Sequence, residues 1–255
     1  MAKVIMTNAE MIQRLKTLAA RKTYYKNKYP DNLCYVHADL KTSADCVNLY
    51  KALFNGYDVD NLTPGYYQRN LSNTGDCSEI GLINQCSDVS KNFKNLKEGQ
   101  FEVLYMKGHI GGYIGTTVIN GNVYNVIEAT GAWGGGILYS YVDERGGRYN
   151  YKGGKKNGTW ESHGKATRWI DYGANAKVDY SKYPVLKKGS RGTYVRILQE
   201  LLVAHGYNPN GIDGIFGNGC LNAVKKFQSE NTDVNGNKLV VDGCVGQKTW
   251  GALYK

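Results

Sequence analysis

Proline is nearly absent, with 4 residues in 255. Alongside 42% apolar and 21% charged residues, that scarcity excludes a proline-rich or wholly disordered chain and leaves enough apolar side chains for a real core. Long hydrophobic runs are missing too. Mean hydropathy is −0.48, and no stretch approaches the roughly 18 apolar residues needed to span a bilayer, so no stable membrane insertion is expected. The opening residues MAKVIMTNAEM hold one Lys and a three-residue apolar run. That is too short for a secretory core segment, so no signal peptide is expected. Histidine is sparse and scattered, at His37, His109, His163 and His205, with no HExxH and no CxxC anywhere. Neither a structural nor a catalytic zinc site is supported, and no cofactor is expected.

Positive charge is what the chain does have. The formal net charge is +10. Residues 183–255 hold 9 Lys+Arg against 5 Asp+Glu, and the remainder is basic as well. No Lys/Arg run exceeds three residues, and no helix carries a basic stripe. The balance therefore implies attraction to an anionic matrix rather than a nucleic-acid module. Tyr (21) and Gly (32) are plentiful, which suits strands joined by tight turns and a surface facing sugars or peptides. Six cysteines, Cys34, Cys46, Cys77, Cys86, Cys220 and Cys244, are read as free thiols, with Cys34, Cys77 and Cys86 as core or incidental ones.

The period of the apolar residues changes along the chain. Thr7 and Glu10 form a capping box before Met11, Ile12, Leu15 and Leu18, which predicts a helix over 7–20. A second helix is predicted over 45–54, with Val47, Tyr50, Leu53 and Phe54 on one side and Gly56 as its stop. Residues 57–100 read as polar and irregular with short helices. Strands are then predicted at 101–106, 109–115, 118–120 and 123–129, with a hairpin at Gly146–Gly147. Residues 165–172 close this part, and 173–183 read as a linker. Residues 184–255 form a separate unit with three helices. DGIFG at 213–217 and DGCVG at 242–246 repeat a tight turn feeding a helix N-terminus.

The C-terminal unit resembles the three-helix peptidoglycan-binding domain of cell-wall hydrolases. The pattern includes Leu186, Gly189, Val195, Leu198, Gln199, Asp213, Gly214, Phe216, Phe227, Gln228, Asp242, Gly243, Thr249 and Trp250. Cys220 stands where that family usually has Thr as a helix cap. The N-terminal part resembles the NlpC-type cysteine peptidases. The blocks are Tyr35-Val36, then Ala44-Asp45-Cys46 opening a helix, then the strand Gly108-His109-Ile110-Gly111-Gly112-Tyr113-Ile114-Gly115, then Val126-Ile127-Glu128-Ala129. The IEA form, with Trp169 near the end, is similar to phage endolysins. Val47 departs from the usual Ser, Glu128 stands where many members have His, and the resemblance does not extend to 57–95. The resemblance implies an α+β architecture: a papain-like peptidase domain at 1–172, a linker at 173–183, and a small all-α domain at 184–255.

It also implies roles. Cys46 is the nucleophile, its thiol lowered in pKa by the helix end and an imidazole. His109 is the base and later the acid, and Glu128 holds the ring. Asn125 points to the other face and is the weaker third member. The Cys46 N–H with the Tyr35 hydroxyl forms the oxyanion hole, beside Asp45. Trp133 lines the substrate groove or packs a hairpin. His37 is a secondary polar group or a turn residue, and His163 lies in SHGKATRWID, a zinc-peptidase-like string with the wrong spacing. The expected partner is bacterial peptidoglycan, with no nucleic acid, and the expected state is a monomer. The implied reaction is cleavage of a stem-peptide amide, γ-D-glutamyl to diamino acid, by an endolysin held in the host cytoplasm before lysis. The alternatives are an N-acetylmuramoyl-L-alanine amidase with the same apparatus and a non-catalytic wall-binding protein.

Overall fold

The computed structural model describes residues 5–21, 24–25, 32–39, 41–60, 62–68, 71–173 and 180–254. The chain divides into two compact units, Met1–Lys177 and Val178–Lys255.

In the first unit, β1 (Met6–Thr7) leads into α1 (Asn8–Ala20). The Thr7 hydroxyl accepts the Glu10 N–H at 3.2 Å, and the Glu10 carboxylate accepts the Thr7 N–H at 2.8 Å. Two orphan donors of the first turn are thus satisfied, and Met11, Leu15 and Leu18 are buried. Next come β2 (Tyr24–Tyr25), β3 (Asn32–Val36) and β4 (Thr42–Ala44). α2 (Cys46–Phe54) follows directly. Its end is a Schellman turn: Gly56, at φ +90°, donates to Leu53 and Tyr57 donates to Ala52.

Residues 57–100 are more ordered than their polarity predicts. They hold β5 (Gly65–Gln68), α3 (Glu79–Ile83) and β6 (Ser87–Ser90). Then come β7 (Glu102–Met106), β8 (His109–Ile119), β9 (Asn122–Thr130), β10 (Gly136–Val142), β11 (Gly147–Tyr149), β12 (Lys156–Thr159), β13 (Ser162–Lys165) and β14 (Ile170–Asp171). The two strands expected at 109–115 and 118–120 are one continuous strand, β8. An eight-stranded antiparallel sheet runs β12-β11-β10-β9-β8-β7-β13-β6, and a four-stranded mixed sheet runs β2-β4-β3-β5. β1 and β14 pair in parallel.

The large sheet is apolar on both faces. Ile110, Ile114, Ile127 and Ala129 join the core built with α1 and α2, where Phe54 stacks on Trp169 at 4.5 Å. Leu104, Tyr113, Val126, Val142 and Trp160 form a second cluster with Phe93. The period-2 alternation of β9, Val126 to one cluster and Ile127 to the other, is the expected signature of a strand covered on both sides. β8 carries two adjacent glycines for the same reason. A Cβ at Gly111 would lie 2.7 Å from the Trp160 ring, and one at Gly112 would lie 2.6 Å from Phe101.

The second unit contains α4 (Thr193–Ala204), α5 (Asn218–Glu230) and α6 (Gln247–Leu253). The repeated turn has a repeated support. Gln199 Nε2 donates to Asp213 Oδ1 and the Ile215 carbonyl, while its Oε1 accepts the Gly214 N–H. Gln228 does the same for Asp242, Cys244 and Gly243. Each residue sits 29 positions from its counterpart. By that register Cys220 corresponds to Thr249, whose hydroxyl accepts from Gln228 at 3.3 Å. Residues 180–183, within the stretch read as a linker, pack in this unit: Tyr180 stacks on Tyr254 and Tyr183 lies 5.3 Å from Trp250. The rest of that stretch, 174–179, falls outside the described residues. Among the described residues, no helix is long and apolar enough to cross a membrane.

Candidate active site

Cys46 opens α2, and Asp45 is the N-cap. Both Asp45 carboxylate oxygens are engaged by Asn48, one accepting its N–H at 2.7 Å and the other its side-chain amide at 2.9 Å. Asp45 therefore serves the helix end, fixing where the cysteine points. The thiol is half-buried, and the Ile110 backbone N–H, one residue past His109, favours its ionised form. It is not hydrogen-bonded to the imidazole among the described residues. Burial first, then the Asp45 charge, pushes the Cys46 thiol up to about 11, against the pull of the Ile110 and Val47 N–H groups. This corrects the expectation of a lowered thiol. The helix end contributes donors, but desolvation and a carboxylate next door outweigh them.

His109 is the first residue of β8. Its Nε2 meets Glu128 Oε2 at 2.5 Å, and its ring stacks on Trp160 at 5.4 Å and 22°. Glu128, fully buried on β9, is held by two further side chains. Ser140 of β10 donates to Oε1. Arg148 of β11 donates from Nε at 3.0 Å and Nη2 at 2.6 Å to Oε2, and its Nη groups also reach Thr130 and the Asn157 carbonyl. Burial alone would raise this carboxyl. The hydrogen bond and charge of His109, with the Arg148 guanidinium, hold it below the ordinary carboxylate range. α2 is tied to the same strand, since the Tyr50 hydroxyl donates to the Ile127 carbonyl at 2.6 Å.

Arg148 and Ser140 escape a sequence reading that looks for a cysteine, a histidine and one acid. The usable cue was an arginine inside an otherwise Gly- and Tyr-rich strand. Trp133 lies in a glycine-flanked turn at φ +53°, with the Arg148 guanidinium carbon 4.5 Å from its ring centre. It is joined to the Glu128 cluster through that cation. Asn125 bonds both backbone groups of Val142 and serves the sheet.

Tyr35 sits on β3 opposite Ser43, three residues before Cys46 in the chain. Its ring meets His37 at 4.9 Å and Tyr66 at 4.8 Å, and His37 Nε2 lies 2.5 Å from the Ser43 hydroxyl. These residues flank the strand that delivers the cysteine. His163 is in a different place, buried on β13 with Nδ1 2.5 Å from Glu102 and Nε2 donating to the Asn92 carbonyl. Burial alone would lower it, but Glu102 and that carbonyl raise its pKa above the ordinary value. Among the described residues, no three His, Cys, Asp or Glu side chains gather where they could hold a metal ion.

Comparison with known families matches residues 191–253 to the model described as a putative peptidoglycan binding domain. No solved structure matches the chain.

Proposed function

We propose that the chain is a peptidoglycan hydrolase of the endolysin type, with a cysteine-nucleophile domain carried on a wall-binding unit. The peptidoglycan-binding match at 191–253 supports association with the cell wall. One arrangement carries the catalytic part. His109 is bonded to the buried Glu128–Arg148 pair and lies one residue before Ile110, whose backbone N–H favours the Cys46 thiolate.

In this reading His109 takes the thiol proton as the sulfur adds to an amide carbonyl. With the thiol at about 11, proton transfer accompanies attack instead of preceding it as a stable ion pair. The oxyanion is met by the Cys46 N–H and the Tyr35 hydroxyl. His109 then gives its proton to the departing amine, leaving a thioester. Water, deprotonated by the same ring, hydrolyses it. Glu128 keeps the ring aligned through Nε2, leaving Nδ1 for the thiol. The bond proposed is the γ-D-glutamyl to diamino acid amide, with the N-acetylmuramoyl-L-alanine amide as the alternative.

A second reading, a wall-binding protein without catalysis, is favoured by the raised thiol that lacks a hydrogen bond to His109. Mass spectrometry of purified peptidoglycan separates the readings, with wild type, Cys46→Ala and a chelator control. Fragments made by the wild type alone and surviving the chelator establish the cysteine route, and their masses name the bond. Cleavage by Cys46→Ala overturns the cysteine assignment, and no cleavage of any wall tested leaves the binding reading.

A further inference from the structure

Four side chains stand in one column: Trp133, Arg148, Trp160 and His109. The guanidinium carbon lies 4.5 Å from the Trp133 ring centre and 5.8 Å from that of Trp160, and Trp160 stacks on His109 at 5.4 Å. Glu128 closes the circuit by bonding both Arg148 and His109. Trp160 buries its indole N–H without a partner among the described residues, and Trp133 takes a left-handed backbone that a tryptophan adopts only at a cost. Packing alone calls for neither feature.

We propose that Trp133, Arg148 and Trp160 are positioning residues that clamp the His109–Glu128 pair and set the pH at which it takes up a proton. This rests on the hydrolase reading for its kinetic consequence, but not for its titration. Arg148 neutralises the buried carboxylate, so the imidazole is not required to carry the balancing charge. Trp133 covers the guanidinium from water, which strengthens the pairing. Trp160 keeps the ring plane fixed while the proton moves. The charged or titratable groups facing the pair are Arg148 from β11 and Tyr50 from α2. The thiol of Cys46, at the start of α2, acts on the same Tyr50.

The test uses the full chain and the variants Arg148→Lys, Arg148→Met and Trp133→Ala. Loss of the cation in Arg148→Met moves the acid limb of the kcat/KM profile on peptidoglycan upward by about 1–3 pH units, the usual effect of one close charge. Arg148→Lys keeps the charge but not the fork, so it holds the limb near the wild-type position while lowering kcat. Trp133→Ala, which loses a half-exposed cover, shifts the limb the same way by less, and carries the test should Arg148→Met fail to fold. A second readout is independent of turnover: the His109 ring proton followed by NMR against pH in a Cys46→Ala background. If the ring titrates identically with and without Arg148 in folded protein, the proposal falls. If the titration shifts while no variant or wild type cleaves any wall, the clamp stands and the hydrolase reading falls.

Discussion

The Glu128 carboxylate is the most heavily bonded side chain of the site, and its neighbours make opposite demands on it. Glu128→Gln keeps the shape but leaves Arg148 buried without a counter-charge. Uncompensated buried charges cost about 3–5 kcal/mol, so urea unfolding should show a loss of that order, with cleavage of peptidoglycan falling on the order of 10³-fold or more. Two carboxylate–histidine pairs also give stability a defined pH window. Glu128 is depressed below its ordinary value of 4.5, so its contribution is complete above that pH and is lost as pH falls further. His163 is raised above its ordinary 6.5, so its contribution is complete below 6.5 and is lost as pH rises through the folded value. The urea midpoint should therefore be highest between those limits, and Glu102→Gln should flatten the alkaline side. Cys46, His109 and Glu128 are singled out by the family resemblance, and the structure brings His109 and Glu128 together. Arg148 is not singled out, because a guanidinium that serves a carboxylate from two strands away leaves no local pattern.

The elements differ in how plainly the residues announce them. α1 and α2 carry their caps in the sequence, Thr7 with Glu10 and Asp45 with Gly56. β6 carries no signal. SDVS is an edge strand with Val89 exposed, so no apolar alternation exists to read. The sequence of β8 reads as two strands because its middle turns polar. Thr116 is held there by Glu98, which accepts its backbone N–H at 2.6 Å after Gly115 at φ +79°. The glycines of β8 make a test at this scale. Gly112→Ala would press a methyl against Phe101 and the Tyr50 hydroxyl. Overpacking of this kind costs about 1–3 kcal/mol, and calorimetry should find the melting temperature lowered. Movement of Tyr50 would also slow cleavage, through its bond to the Ile127 carbonyl.

At the level of the whole molecule, the three-helix composition of the second unit was visible in turn residues and helix periodicity. The duplicated glutamine clamps were not, since a glutamine on a helix looks like any solvated residue until its turn is placed beside it. Gln228→Leu removes four hydrogen bonds and leaves the Gly243 N–H unsatisfied. The penalty is about 1–3 kcal/mol for the orphaned group alone. Retention of the full chain on insoluble peptidoglycan should weaken, while far-UV and near-UV signals of the first unit persist. Equal retention by Gln228→Leu would detach wall binding from that fold.

The thiols described above carry a practical consequence. Burial lifts Cys46 to about 11 and Cys34, Cys86 and Cys220 to about 12. Only the deprotonated sulfur reacts with peroxide or with another chain, and at pH 7 a group near 11 is deprotonated in roughly one molecule in ten thousand. These four thiols should thus survive long exposure of a purified stock to air without added reductant.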